Sequence, residues 1–181
     1  VESGLFWIGT DKGIGRLRTQ RTERSTVMSI PPALSNSNVT KIVKSDSLIA
    51  IGTLREGIHI IDSSGNIAHT YQQTTEGDGL TDNRITDLIL RYPYLWVGTK
   101  NGGVNRVDLR TDEVMSLKYD PSIKDGLKDN RITSIEMQGN KTLWIGTSSA
   151  GVQAYDLSTG TYIDYKLGVD TTRALSNNKI L

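Results

Sequence analysis

Few residues of this chain have the types and spacing to do chemistry. The two histidines, His59 and His69, lie ten residues apart on segments of strand character, and neither has the spacing of a zinc pair or of a triad partner. The runs Asp78-Gly79-Leu80-Thr81-Asp82-Asn83 and Asp125-Gly126-Leu127-Lys128-Asp129-Asn130 gather carboxylates and amides in loops. Calcium needs oxygens converging from alternate positions, and Leu80 and Leu127 interrupt that alternation, so turn chemistry is the better reading. Gly102-Gly103 is followed by no helix that could present amides to a phosphate. There is no cysteine, which excludes disulfides, thiolate metal sites and a cysteine nucleophile. No metal or cofactor is expected, and the chain is not expected to be an enzyme.

What remains is binding chemistry. Acids and bases are interspersed to a net charge of +1, a balance that gives no field to attract nucleic acid or an anionic membrane. No apolar run approaches the roughly 18 residues of a membrane span. Trp7, Trp96 and Trp144 could stack on sugars. Each, however, recurs in one short motif, which points instead to packing.

That motif identifies the elements. It reads Phe6-Trp7-Ile8-Gly9-Thr10, Ile49-Ala50-Ile51-Gly52-Thr53, Leu95-Trp96-Val97-Gly98-Thr99 and Leu143-Trp144-Ile145-Gly146-Thr147, at intervals of 43, 46 and 48 residues. A repeat of this length is one supersecondary unit that buries its apolar face only against neighbouring copies. Within a copy, Arg131–Met137, Thr142–Thr147, Gly151–Asp156 and Thr161–Tyr165 alternate or are rich in branched and aromatic residues, with Gly, Asn, Asp and Ser turns between them. Short alternating runs of that kind form an antiparallel meander. No helical period is sustained, so the class is all-β, and four strands per repeat describe a β-propeller blade. About four four-stranded blades are expected.

A second signature keeps step with the first: Leu80-Thr81-Asp82-Asn83-Arg84-Ile85-Thr86 and Leu127-Lys128-Asp129-Asn130-Arg131-Ile132-Thr133, with looser copies at Leu34–Thr40 and Leu175–Ile180. Its Asn and Asp residues suit the crossover from one blade's outer strand to the next blade's inner strand. Together, Leu-x-Asp-Asn-Arg-Ile-Thr, Leu-Trp-Ile/Val-Gly-Thr and Gly-Val-x-x-Tyr/Val-Asp resemble the two-component regulator propeller repeat. Ala50 departs from the expected tryptophan. The resemblance implies an extracytoplasmic sensor of a hybrid histidine kinase in the periplasm of a Gram-negative bacterium, reading an oligosaccharide, with any kinase activity outside this chain.

The register places approximate blades at 1–33 (partial), 34–74, 80–119 and 127–167, with 175–181 starting another. The chain then opens on a second strand and ends on the start of an inner one. This fits an excerpt of a larger propeller, or a small ring closed by its C-terminal strand. Asn178-Lys179-Ile180-Leu181 is short for a closing strand beside the usual length of about 5–6 residues, which favours the excerpt. Bare blade faces would associate, so the expected partners are further repeats of the same chain or a second copy.

Residues common to every copy build the copy, so candidates for function are those that differ. Crossovers and the hairpins between second and third strands emerge on one face. Its varying residues are Arg55 and Glu56, a pair found in one copy only, Lys100 and Asn101, and the crossover residues Arg84 and Arg131. His59 and Asn105, two residues past the hairpin glycine, are polar where packing favours apolar types. Together they would form a rim suited to sugar hydroxyls, with arginine available for carboxylate or sulfate. The alternative is a solvated rim in which Arg84 and Arg131 pair with Asp82 and Asp129. The inserted crossover Tyr119–Gly126 is a further candidate contact. The leading function is a ligand-sensing propeller without catalysis. The alternatives are a protein-interaction or dimerisation scaffold, and a lyase or hydrolase, which lacks a convergent histidine–carboxylate set.

Overall fold

The structure is a computed structural model and describes residues 5–18, 26–28, 31–45, 48–166, 175 and 177–180. Alternating residues and tight turns produce a succession of antiparallel meanders. The first sheet has three strands, β1 (Leu5–Thr10), β2 (Gly13–Arg18) and β3 (Thr26–Met28). Four-stranded sheets follow: β4 (Val39–Lys44), β5 (Ile49–Thr53), β6 (Ile58–Ile61) and β7 (Ile67–Tyr71); β8 (Ile85–Arg91), β9 (Tyr94–Thr99), β10 (Val104–Asp108) and β11 (Val114–Leu117); and β12 (Ile132–Gln138), β13 (Thr142–Thr147), β14 (Val152–Asp156) and β15 (Tyr162–Tyr165). Among the described residues, helix is confined to one 3-10 turn, Pro32–Leu34. These are propeller blades, as the meander pattern implies. β1 carries the motif of β5, β9 and β13, so the first described sheet starts at the position of a blade's second strand.

No sheet has a core of its own. One apolar cluster joins Ile14 and Leu34 to Ile49, Ile51 and Ile61. A second joins Ala50, Ile58 and Ile60 to Leu88, Leu95 and Val97, and a third joins Trp96 and Val104 to Ile135, Leu143 and Ile145. Each cluster is shared by two successive blades, and β4, β8 and β12 lie side by side. Stability therefore resides largely in the blade interfaces.

This packing explains the Gly-Thr pair. A Cβ on Gly52 would lie 2.7 Å from Ile85 Cγ2, one on Gly98 3.0 Å from Ile132 Cγ2 and one on Gly146 3.1 Å from Ile180 Cγ2, while Gly9 faces Val39 in the same way. The isoleucine of the crossover signature thus seats on the glycine of the preceding blade. The threonine caps the following hairpin: Thr53, Thr99 and Thr147 Oγ1 donate to the carbonyls of Gly57, Gly103 and Gly151 at 3.0, 2.8 and 2.8 Å. Those hairpin glycines have φ of +73°, +78° and +82°, left-handed values that favour glycine.

Candidate functional site

The hairpins and crossovers meet through backbone hydrogen bonds that repeat from blade to blade. Gly57, Gly103 and Gly151 N–H donate to the carbonyls of Asn83, Asn130 and Asn178 at 3.1, 2.9 and 2.8 Å, and Lys100 and Ser148 N–H donate to Arg84 and Arg131 at 2.9 Å each. The asparagines also clamp the crossover, since Asn83 and Asn130 Oδ1 accept from Gln73 and Tyr119 N–H at 2.7 Å each. Crossovers and hairpins therefore share one face.

On that face lies a cleft of about 460 Å³, within the size of small-molecule sites, roughly 300–1,000 Å³. Lys100, Asn101, Arg131 and Ser148 form its polar margin, and Thr40, Thr86 and Thr133 come from three successive inner strands. Each of these threonines is the extra residue of a β-bulge, at the register shifts Val39/Lys41, Ile85/Asp87 and Ile132/Ser134. A bulge re-aims side chains. Here Thr86 and Thr133 border the cleft, while their hydroxyls turn inward beside Gly98 and Gly146, shielded and without a hydrogen-bond partner among the described residues.

Of the residues singled out by sequence, Lys100, Asn101 and Arg131 converge on this cleft. Arg84 stands one contact away. With the Asn101 amide turned so that its oxygen faces the guanidinium, it accepts from Arg84 Nη2 at 2.5 Å and Nη1 at 3.1 Å. Both arginines are also paired, Arg84 Nε with Asp82 at 2.9 Å and Arg131 Nε with Asp129 at 3.2 Å. The hydrogen bond from Arg84 to Asp82 raises the Arg84 pKa from its ordinary value. The Asp129 carboxyl is held below the usual range despite its partial burial, by hydrogen bonds from Ser149 and Arg131. The pairing fixes Arg131 at the edge of the cleft and Arg84 behind Asn101, while leaving much of each side chain exposed.

The other four candidates lie elsewhere. Arg55 is exposed and does not line the cleft. Glu56 accepts a short hydrogen bond from Ser37 Oγ, which ties the hairpin to the preceding crossover. His59 and Asn105 were expected at the rim, and the structure corrects this. His59 is 6% exposed and Asn105 fully buried. Asn105 Oδ1 accepts from Thr81 N–H at 3.2 Å and its Nδ2 donates to Thr81 Oγ1 at 2.8 Å, while Gln153 Oε1 does the same work for Lys128 N–H at 2.9 Å. These polar side chains satisfy the buried crossover backbone, as buried polar groups must. His59 Nδ1 lies 3.1 Å from Thr70 Oγ1, and burial lowers its pKa more than nearby Glu56 raises it. In the inserted crossover, Tyr119 and Ile123 are exposed.

Sequence reasoning missed Asp87. It is buried in β8, accepts from Ile135 N–H of the next blade at 2.9 Å and pairs with Lys41 Nζ of the previous one at 2.8 Å. Lys41, Asp87 and Ser134 hold equivalent register positions, opposite Gly52, Gly98 and Gly146. That lysine–aspartate succession was the available signal. Among the described residues no three His, Asp or Glu side chains gather as a metal-holding group, and no helix is long and apolar enough to cross a membrane.

Known proteins share this fold. No curated protein matches the chain by sequence. Its fold is similar to the extracellular domain of BT3049 from B. thetaiotaomicron, described as a hybrid two component system, with TM-score 0.71 and 18% identity over 91% of this chain and 24% of that one. It is likewise similar to the extracellular domain of BT4673 from the same organism, with TM-score 0.65 and 23% identity over 97% of this chain and 22% of that one. The computationally designed Ika4 protein shares the fold at TM-score 0.61 and 16% identity, over 86% and 87% of the two chains. The chain thus spans about a quarter of the length of the two extracellular domains. Residues 126–149, which contain the third crossover signature and its Leu-Trp-Ile-Gly-Thr strand, match the two component regulator propeller. That stretch of one blade is thus similar to the two component regulator propeller, and the same motifs recur in register in the other blades.

Proposed function

We propose that this propeller reads a polar, hydroxyl-rich ligand, an oligosaccharide in the leading case, as the extracytoplasmic part of a two-component sensor, and that it does so without catalysis. The observation carrying this reading is the crossover-face cleft, where Lys100, Asn101, Arg131 and Ser148 gather hydrogen-bonding groups from successive blades. Amide and guanidinium groups fixed by neighbouring carboxylates form directed hydrogen bonds to hydroxyls with little ordering cost. The signal would leave as a change in domain arrangement, read by an output region outside this chain. The test is calorimetry on the full-length protein with an oligosaccharide selected by glycan array. Replacing Arg84, Lys100 and Arg131 together by alanine is expected to weaken binding by about a hundredfold or more. Undiminished binding by that variant would reject the site.

One observation favours a second reading, an association scaffold. Phe6 and Ile8 are 54% and 50% exposed, whereas their counterparts Leu95, Val97, Leu143 and Ile145 are fully buried against the preceding blade. The β1 face thus carries blade-interface residues and suits another repeat or a second copy. Light scattering on this chain is expected to show self-association that Phe6→Glu with Ile8→Glu abolishes; a monomer at high concentration would contradict it.

A further inference from the structure

A second cleft opens between the third and fourth blades on the face opposite the crossovers, beside the β8–β9 hairpin. Its volume is about 410 Å³, and Arg91, Tyr92, Tyr94, Trp96, Arg106 and Asn140 line it. The chemistry differs from that of the crossover face. Tyr92 is 64% exposed, and the Arg106 guanidinium lies over the Tyr94 ring at 4.6 Å and the Trp96 ring at 5.8 Å.

Arg106 is half-buried, yet among the described residues no carboxylate is within ion-pair distance of it and its side chain donates no hydrogen bond. Asp108, a nearby carboxylate, is claimed by Arg110, which donates to it from Nε at 3.0 Å and Nη2 at 2.7 Å. Arg91 offers only a 3.5 Å contact to the Leu90 carbonyl. Asp108 acts on the Arg106 charge through space, but a half-buried guanidinium with no hydrogen-bonded anion is under-satisfied, and ring stacking compensates it only in part. No acidic side chain lines the cleft.

The fold does not require this arginine. In the same register, opposite the motif's tryptophan position, Arg16 faces Trp7, Ile60 faces Ala50 and Ala154 faces Trp144. The position of Tyr94, first in β9, is held by Thr142 in β13. Hence the pairing of two arginines with two tyrosines belongs to the third blade, whereas residues that build blades recur.

We propose that this cleft binds a carboxylate-bearing ring compound, its carboxylate held by the Arg106 and Arg91 guanidinium groups and its ring laid against Tyr92. A carboxylate satisfies the guanidinium fork in two parallel hydrogen bonds. The exposed tyrosine face takes a flat or sugar ring, and the Asn140 amide is available to a ring hydroxyl. This site is independent of the crossover-face reading and stands or falls separately.

The test follows the arginine Nε–H signals of the protein by NMR during titration with benzoate, glucuronate and uncharged glucose. The expected result is saturable movement of the Arg91 and Arg106 signals with at least one of the two carboxylates and none with glucose. Arg106→Ile should weaken that binding by about tenfold or more, with an unchanged or raised melting temperature because isoleucine already serves at this position in the second blade. Tyr92→Ala should weaken it without altering the fold. No saturable movement with either carboxylate, an equal response to glucose, or undiminished binding by Arg106→Ile would each overturn the proposal.

Discussion

Gly52→Val is expected to destabilise the protein by about 2–4 kcal/mol, because it forces apart two blades that share one apolar cluster. Even a single Cβ would come within 2.7 Å of Ile85 Cγ2 and 3.2 Å of Leu88 Cδ1. Neither neighbour can retreat, since Ile85 and Leu88 are 1% and 2% exposed. Thermal or denaturant unfolding measures the loss. A double variant with Ile85→Ala opens space opposite the new side chain, and the cycle should show a favourable coupling of about 1 kcal/mol or more. Near-wild-type stability for Gly52→Val would mean that the glycine is not the seat of the next blade's isoleucine. Simple additivity in the cycle would place the strain elsewhere.

Asp87→Ala should cost about 2–3 kcal/mol by leaving the Ile135 N–H and the Lys41 ammonium without their acceptor. The figure lies below that for a fully buried pair because the Lys41 side chain is 43% exposed and water screens its share, so the ion pair itself adds only about 0–1 kcal/mol. Most of the effect comes from the amide in β12, as the 2.9 Å bond from Ile135 joins two blades at their inner strands. Asp87→Asn keeps a carbonyl oxygen for that amide and should lose less than half as much. Lys41→Met should cost least of the three. Denaturant unfolding ranks them, and a Lys41→Met loss equal to that of Asp87→Ala would show that the ion pair, rather than the interblade amide bond, dominates.

Both predictions concern links between blades, and the two links were unequally legible in the chain. The Gly-Thr pair announces itself by repetition: every copy needs a close approach and a hairpin cap, so the residues recur and their register can be read off. Asp87 does not recur, because it answers to a lysine on one side and an amide on the other, and neither lies near it in sequence. The candidate site shows the same division. Lys100, Asn101 and Arg131 line one cleft, a neighbourhood legible in sequence because turn residues fix which loops share a face. The threonines closing the crossover signature were not read as bulged, since a register shift of one residue leaves no mark on an alternating pattern. His59 and Asn105 went astray for a physical reason. Polarity was taken as a sign of solvent, whereas Asn105 and Gln153 are polar because the crossover amides of Thr81 and Lys128 enter the interior and need acceptors there.

In the proposed function the repeated residues build the blades while the crossover-face cleft between their copies reads the ligand. Hydrogen–deuterium exchange on the full-length protein, with and without a glycan-array-selected oligosaccharide, tests it most directly. The expected result is slowed exchange at residues 81–86, 100–103, 131–134 and 148, with the β8–β9 and β12–β13 hairpins of the opposite face unchanged. Protection confined to that opposite face, or bound ligand that leaves the crossover segments unaltered, would contradict a ligand site on the crossover face.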